Sequence, residues 1–260
     1  MNPPLARLYS SLPASRGRQR ILLVATTIAA IAIAVYVVQP LTAFDILTRL
    51  FARIVWRVDT PQPLVALSFD DGPDPLYTPQ VLDILARHRA HATFFLIGER
   101  AAANPELVER IESDGHEVGN HYYTRGSTLL HSTSTFSDNL ARTGSVLGLS
   151  QRQPRLFRPP GGVVWPSQLT IAQERGYTAV LGSAYPYDGQ RPPTCYIRWL
   201  VSKNLAPGVI VILHDASGDR SNTIAALPGI LEAGRNKGLR FVTVGELFAA
   251  RDLGRGQTGR

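Results

Sequence analysis

The stretch Leu67-Ser68-Phe69-Asp70-Asp71-Gly72-Pro73 decides how this chain is read. Residues 65–69 alternate apolar and small side chains in the manner of a short strand, and Gly72-Pro73 forces the chain to turn. Adjacent carboxylates repel each other, so a strand end that carries two needs something to compensate them. A metal ion, an arginine or a shared proton would each serve. The plain alternative is a polar turn, since Asp and Gly are ordinary turn residues.

Downstream of this stretch, short apolar runs recur at 93–97, 117–119, 156–157, 178–181, 209–213 and 241–242. Helical patterns lie between them, near 78–88, 136–147, 167–175, 196–204 and 223–237. A further helix opens at Asn104-Pro105, where Asn supplies a cap and Pro the first helical position. Seven strands alternating with helices indicate an α/β fold on a parallel sheet, for which closure into a barrel is one arrangement. Polar residues follow these strands: Asp70 and Asp71, His121, Arg158, Asp188, and His214 with Asp215. In a parallel barrel such strand ends share one rim, where active sites are built. Taken singly, Arg158 reads equally as a surface ion pair, His214 as a satisfied core histidine and Asp188 as a turn aspartate. His88, His91 and His116 read as structural.

The 260 residues carry a formal charge of +7, but residues 1–20 contribute +4 and the last twelve +2. The body is close to neutral and offers no surface that could track phosphates, which excludes nucleic acid as a partner. One cysteine, Cys195, excludes an internal disulfide and a cysteine-based zinc site and reads as inert. Residues 21–38 hold no charge; as a helix they would extend about 27 Å, near the thickness of a bilayer core. Arg16, Arg18 and Arg20 precede this run, and the first charge after it is Asp45. The positive-inside rule then keeps the amino terminus in the cytoplasm and places the rest outside. A cleaved signal peptide would have an apolar region of about 7–15 residues and a better small-x-small site than Leu41-Thr42-Ala43. The expected organisation is a cytoplasmic tail at 1–20, a transmembrane anchor at 21–40, an amphipathic connector at 41–63, a catalytic domain at 64–250 and a flexible tail at 251–260. In the connector Phe44, Leu47, Leu50, Phe51 and Ile54 recur at helical spacing.

Ser68-Phe69-Asp70-Asp71-Gly72-Pro73, Gly115-His116-Glu117-Val118-Gly119-Asn120-His121, Phe157-Arg158-Pro159-Pro160-Gly161 and Leu213-His214-Asp215 occur in that order. Together they resemble the motifs of the polysaccharide deacetylases, the NodB-homology or family 4 carbohydrate esterases. The resemblance runs from about residue 65 to 248. It implies a deformed (β/α) barrel that hydrolyses the N-acetyl group of a sugar with a divalent metal, often zinc. Asp70 would then be the general base and Arg158 the cation that orients it, while Asp71 and His121 would be metal ligands. His214 would be the general acid, Asp188 would tune it, and the Gly161 N–H would support the oxyanion. Asp215 would be supporting or structural.

Two positions depart from the family pattern. Gly189 stands where a tryptophan usually follows Asp188, and Arg125 stands where a second ligand histidine usually follows His121. A guanidinium has no lone pair to donate. At about 4 Å from a divalent cation, in an effective dielectric of about 20, it would be repelled by roughly 8 kcal/mol. Three arrangements are therefore open. Arg125 swings out and His131 or water completes the site; Asp71 and His121 bind metal weakly alone; or Arg125 replaces the cation and pairs with Asp71.

The expected function is removal of an N-acyl group, N-acetyl in the family, from an amino-sugar polymer or lipid-linked glycan at the cell envelope. The alternative is a catalytically impaired carbohydrate-binding protein, which would have no need of Asp70, Arg158 and His214 together. Neither Gly-x-Ser-x-Gly nor His-Glu-x-x-His occurs, which argues against a lipase or a zinc peptidase.

Overall fold

The computed structural model describes residues 20–30 and 38–257, and the chain divides after Gln39 into two units. In the first, residues 20–30 are helical, with Ile21, Leu22, Leu23 and Val24 exposed. The expected anchor at 21–40 falls partly on 31–37, and the expected tail largely on 1–19, outside the described residues. Among the described residues no helix is long and apolar enough to cross a membrane.

The second unit is built on eight strands, all paired in parallel. These are β1 (Ile54–Val55), β2 (Leu64–Asp70), β3 (Thr93–Leu96), β4 (Glu117–Asn120), β5 (Arg155–Phe157), β6 (Tyr177–Val180), β7 (Ile210–His214) and β8 (Arg240–Val242). Every residue of β2 is buried because neighbours fill both of its edges. β7 pairs along Ala66 to Asp70 on one edge, while β8 takes Leu64 to Ala66 and β3 takes Ser68 to Asp70 on the other. The order runs β1-β6-β5-β4-β3-β2-β7. Just past β6, Ala184 bridges Val211 of β7, and the Ser183 N–H donates to the Ile210 carbonyl at 3.0 Å. The sheet thus curls back on itself through only a few residues, as the irregular closure of a deformed barrel.

All seven expected strands are present. The eighth, β1, lies inside the stretch expected to be a helical connector. There α1 (Leu41–Leu50) follows the amphipathic pattern, but Ile54 leaves it to pair with Ala179 at the edge of β6. Two β-branched residues gain a ladder partner there, and a two-residue strand leaves no periodic trace in sequence. At the other end the helix Val244–Gln257 enters the stretch expected to be a tail. Its start is fixed by reciprocal bonds, Thr243 N–H to Glu246 Oε2 at 2.8 Å and Glu246 N–H to Thr243 Oγ1 at 3.0 Å.

Gly208, which precedes β7, has φ +80°, donates to the Leu64 carbonyl at 2.8 Å and accepts from the Val58 N–H at 2.9 Å. A Cβ there would lie 1.8 Å from the Val58 carbonyl oxygen. Gly208→Ala is expected to cost about 3 kcal/mol, from positive-φ strain and a backbone clash together. A urea midpoint equal to that of the parent would contradict this.

Candidate active site

The register of β2 against β7 sets Asp70 beside His214, so two candidate proton-transfer groups leave adjacent strands at the same level. After Asp70 the chain turns through Asp71 at φ +74° and Gly72, whose carbonyl accepts the Ile97 N–H at 2.9 Å. Gly72 is required here, since a Cβ would sit 2.7 Å from Oδ1 of Asp215.

Asp70 is buried against Arg158. The guanidinium Nη1 donates to Asp70 Oδ1 at 2.6 Å and to Ser68 Oγ at 2.8 Å. Nε and Nη2 reach the carbonyls of Val180 and Leu181, both at 3.2 Å, and the guanidinium carbon lies 4.0 Å from the Phe95 ring centroid. Arg158 is 1% exposed, which settles its reading as a buried partner of Asp70 and not a surface ion pair. Its own carbonyl does a second job, lying 2.9 Å from His121 Nδ1. A carbonyl only accepts, so Nδ1 carries the proton and Nε2 of the neutral ring presents its lone pair. That Nε2 is 3.4 Å from Asp71 Oδ1. Burial alone would raise the Asp71 carboxyl, but His121 and His214 outweigh it and hold Asp71 well below the usual carboxylate range.

Asp71 and His121 suit one divalent cation. Two donors about 2.1 Å from a tetrahedral metal stand roughly 3.4 Å apart, and the Nδ1–carbonyl bond is the usual support of a ligand histidine. No group of three or more His, Cys, Asp or Glu side chains that could hold a metal exists among the described residues. The protein therefore supplies a two-residue ligand set. Arg125 is exposed and makes no ion pair with Asp71 among the described residues, so the metal-free pairing is not what the structure contains. The carbonyls of Tyr122 and Tyr123 accept the Gly98 and Glu99 N–H groups, each at 2.9 Å, which ties this segment to the helix Gly98–Ala103. His131 does not join Asp71 and His121; its Nδ1 lies 2.8 Å from the buried Tyr122 hydroxyl.

On the other side, Asp188 opens the short 3-10 turn Asp188–Gln190, yet its carboxylate reaches back to β7. Oδ1 is 2.9 Å from His214 Nδ1, and Oδ2 accepts the His214 backbone N–H at 2.7 Å and Thr223 Oγ1 at 3.0 Å. Burial alone would lower the His214 pKa, but Asp188 and, more weakly, Asp70 and Asp71 raise it to about 9. Buried Arg220 locks the surrounding turn by donating to the carbonyls of Asp188 (3.0 Å), Ala216 (2.6 Å) and Ser217 (2.6 Å). Arg220 and Thr223 carry no local sequence signal, because their contacts span some thirty residues. Asp215 is fully buried, accepts from Thr78 Oγ1 at 2.5 Å, and is pushed up to about 7 by burial. Gly161, at φ +67°, lies in the exposed turn Pro160–Gly162 that follows Arg158. His116 sits apart from these groups, with Nδ1 accepting the Ala92 N–H at 3.3 Å.

The polysaccharide deacetylase family profile matches residues 57–180. A peptidoglycan-N-acetylglucosamine deacetylase of Bacillus cereus is 42% identical over 203 residues, 75% of this chain and 92% of that protein. A chitooligosaccharide deacetylase of Sinorhizobium fredii is 35% identical over 200 residues, 72% of this chain and 93% of that protein. The crystal structure of the Bc1960 peptidoglycan N-acetylglucosamine deacetylase superposes with a TM-score of 0.71 at 32% identity, covering 75% of this chain and 92% of that one. Enzymes of this family are generally metal-dependent, and the family also includes a pseudoenzyme from Bacillus anthracis. The chain belongs to the polysaccharide deacetylases, carbohydrate esterase family 4, which act on the N-acetyl amide bonds of sugars.

Proposed function

We propose that this chain removes the N-acetyl group from N-acetylglucosamine units of a cell-envelope glycan, a peptidoglycan polymer or a lipid-linked precursor. The observation that carries the reading is the pairing of Asp70–Arg158 with His214–Asp188 on the facing ends of β2 and β7. Asp71 and His121 would hold a divalent cation, zinc in our reading, which when bound supplies carbonyl polarisation and a more acidic water. Arg158 occupies Oδ1 of Asp70 and leaves Oδ2 to take the proton of the attacking water. The Gly161 N–H supports the negative charge that develops on the carbonyl oxygen. His214, protonated near neutrality and oriented through Nδ1, gives the Nε2 proton to the leaving nitrogen. The C–N bond breaks, and acetate and a free amino sugar result.

The uncharged run at 21–38 with Arg16, Arg18 and Arg20 before it supports a single-pass anchor. On this reading the amino terminus is cytoplasmic and the catalytic unit faces an envelope glycan outside. A glycan-binding protein without turnover is the second reading, favoured only by the two-residue ligand set.

Acetate release from N-acetylglucosamine oligomers and from peptidoglycan, with and without chelator, tests both. Release that chelator abolishes and zinc restores is expected. Release indifferent to chelator removes the metal but keeps the enzyme; glycan binding without release selects the second reading. Arg125→His should raise zinc affinity by about tenfold or more, measured by competition with a chromophoric chelator. An unchanged affinity would show that position 125 cannot reach the cation.

A further inference from the structure

Gly189 is the residue beside Asp188 at which the chain lacks the usual tryptophan. Its φ is not in the left-handed region, and a Cβ built on it would meet the Tyr185 hydroxyl at 3.5 Å, His214 Cε1 at 3.7 Å and His214 Nε2 at 3.9 Å. All three are ordinary contact distances, so a side chain would fit. The absent side chain leaves a cradle floored by Gly189 and walled by the Tyr185 hydroxyl and the Nε2 edge of His214. Tyr185 is held in place: its ring packs edge-on against Tyr187 with centroids 4.8 Å apart and lies 5.9 Å from the His214 ring. Its hydroxyl donates to Gln190 Oε1 at 3.3 Å, which leaves an oxygen lone pair for another donor.

On the deacetylase reading above, His214 Nε2 faces the leaving nitrogen on C2 of the sugar. That carbon is flanked by C1, whose oxygen is tied up in the glycosidic bond of a polymer, and by C3. The one flanking donor that can enter a cradle beside Nε2 is the C3 hydroxyl. We propose that Tyr185 is a substrate-positioning residue that accepts the C3 hydroxyl of the reacting sugar in the cradle left by Gly189. It thereby selects amino sugars whose C3 oxygen is free over those carrying an ether there. A bulky C3 ether would have to displace the Tyr185 ring from its packing on Tyr187.

The test uses the full chain in detergent with an N-acetylglucosamine pentamer and its 3-O-methylated counterpart, measuring binding by calorimetry together with kcat and KM. Tyr185→Phe keeps the ring packing and removes only the hydroxyl. It should weaken binding and raise KM by about tenfold, with the alkaline limb of kcat unmoved. The wild type should lose a similar factor on the methylated pentamer, and Tyr185→Phe should lose nothing further. Gly189→Ala, which fills the cradle with a methyl group, should weaken binding by a comparable factor. Binding by Tyr185→Phe within twofold of wild type overturns the proposal, as does an alkaline limb that moves with the hydroxyl, since the residue would then act through His214. If the wild type binds the pentamer but releases no acetate, the deacetylase reading falls while the binding series still decides the role of Tyr185.

Discussion

Arg158→Met is expected to lower stability by about 3–5 kcal/mol and to abolish acetate release. The guanidinium is almost wholly inaccessible and answers a carboxylate, a hydroxyl and two carbonyls at once. Methionine is of similar length, so the cavity it leaves is small. The cost is the Asp70 carboxylate, left buried without a counter-charge, plus the orphaned carbonyls of Val180 and Leu181. Adding Asp70→Asn should therefore return more than half of the lost stability while leaving the protein inactive, because the charge that needed Arg158 is gone along with the base. Urea unfolding of the single and double variants gives the comparison. A double variant no more stable than Arg158→Met would mean that packing, not charge, dominates this position.

The second large effect is expected at Asp188. With Asp188 present the His214 pKa is about 9, so the general acid stays protonated through neutrality and the rate should fall only as pH rises past that value. Asp188→Asn removes the counter-charge and leaves burial, which acts in the opposite direction, so the alkaline limb should drop to about 6.5 or lower. At pH 8 that change alone lowers the protonated fraction by about thirtyfold, and the loss of orientation through Nδ1 adds to it. Stability follows the same sign. A histidine whose folded pKa lies above its unfolded value stabilises the fold fully below about 6.5 and loses that contribution as pH rises through about 9. The variant should show a flatter stability profile over this window. A pH–rate profile whose alkaline limb remained at 9 would remove Asp188 from the proton-transfer machinery.

The strands were legible where apolar runs were long enough to be seen. β2 and β7 are seven and five residues of nearly unbroken apolar sequence, and the polar residues after them had to end on one rim. β1 was not legible, because Ile54–Val55 is defined by the edge of β6 and not by any period of its own. Asp188 was ambiguous for a physical reason: it is a turn aspartate by backbone and a histidine partner by side chain, and only the second requires knowing where β7 passes. The supporting layer was invisible. Thr223, Arg220 and the Arg158 carbonyl act across 22 to 37 residues of chain through groups that have no sequence signature. His131 shows the converse, a residue of ligand type that the fold spends on Tyr122.

Arg158 holds Asp70 with its side chain and His121 with its backbone. Every amino acid has a carbonyl, so no substitution at this position can take away the bond that orients His121. Loss of the base and loss of the metal-site histidine are therefore separate genetic events, although one residue supports both. A lineage that drifted at position 158 would keep an oriented imidazole beside Asp71 long after hydrolysis had ceased. The fold thus contains a one-step route from catalyst to silent binder, with no step that first dismantles the cation site.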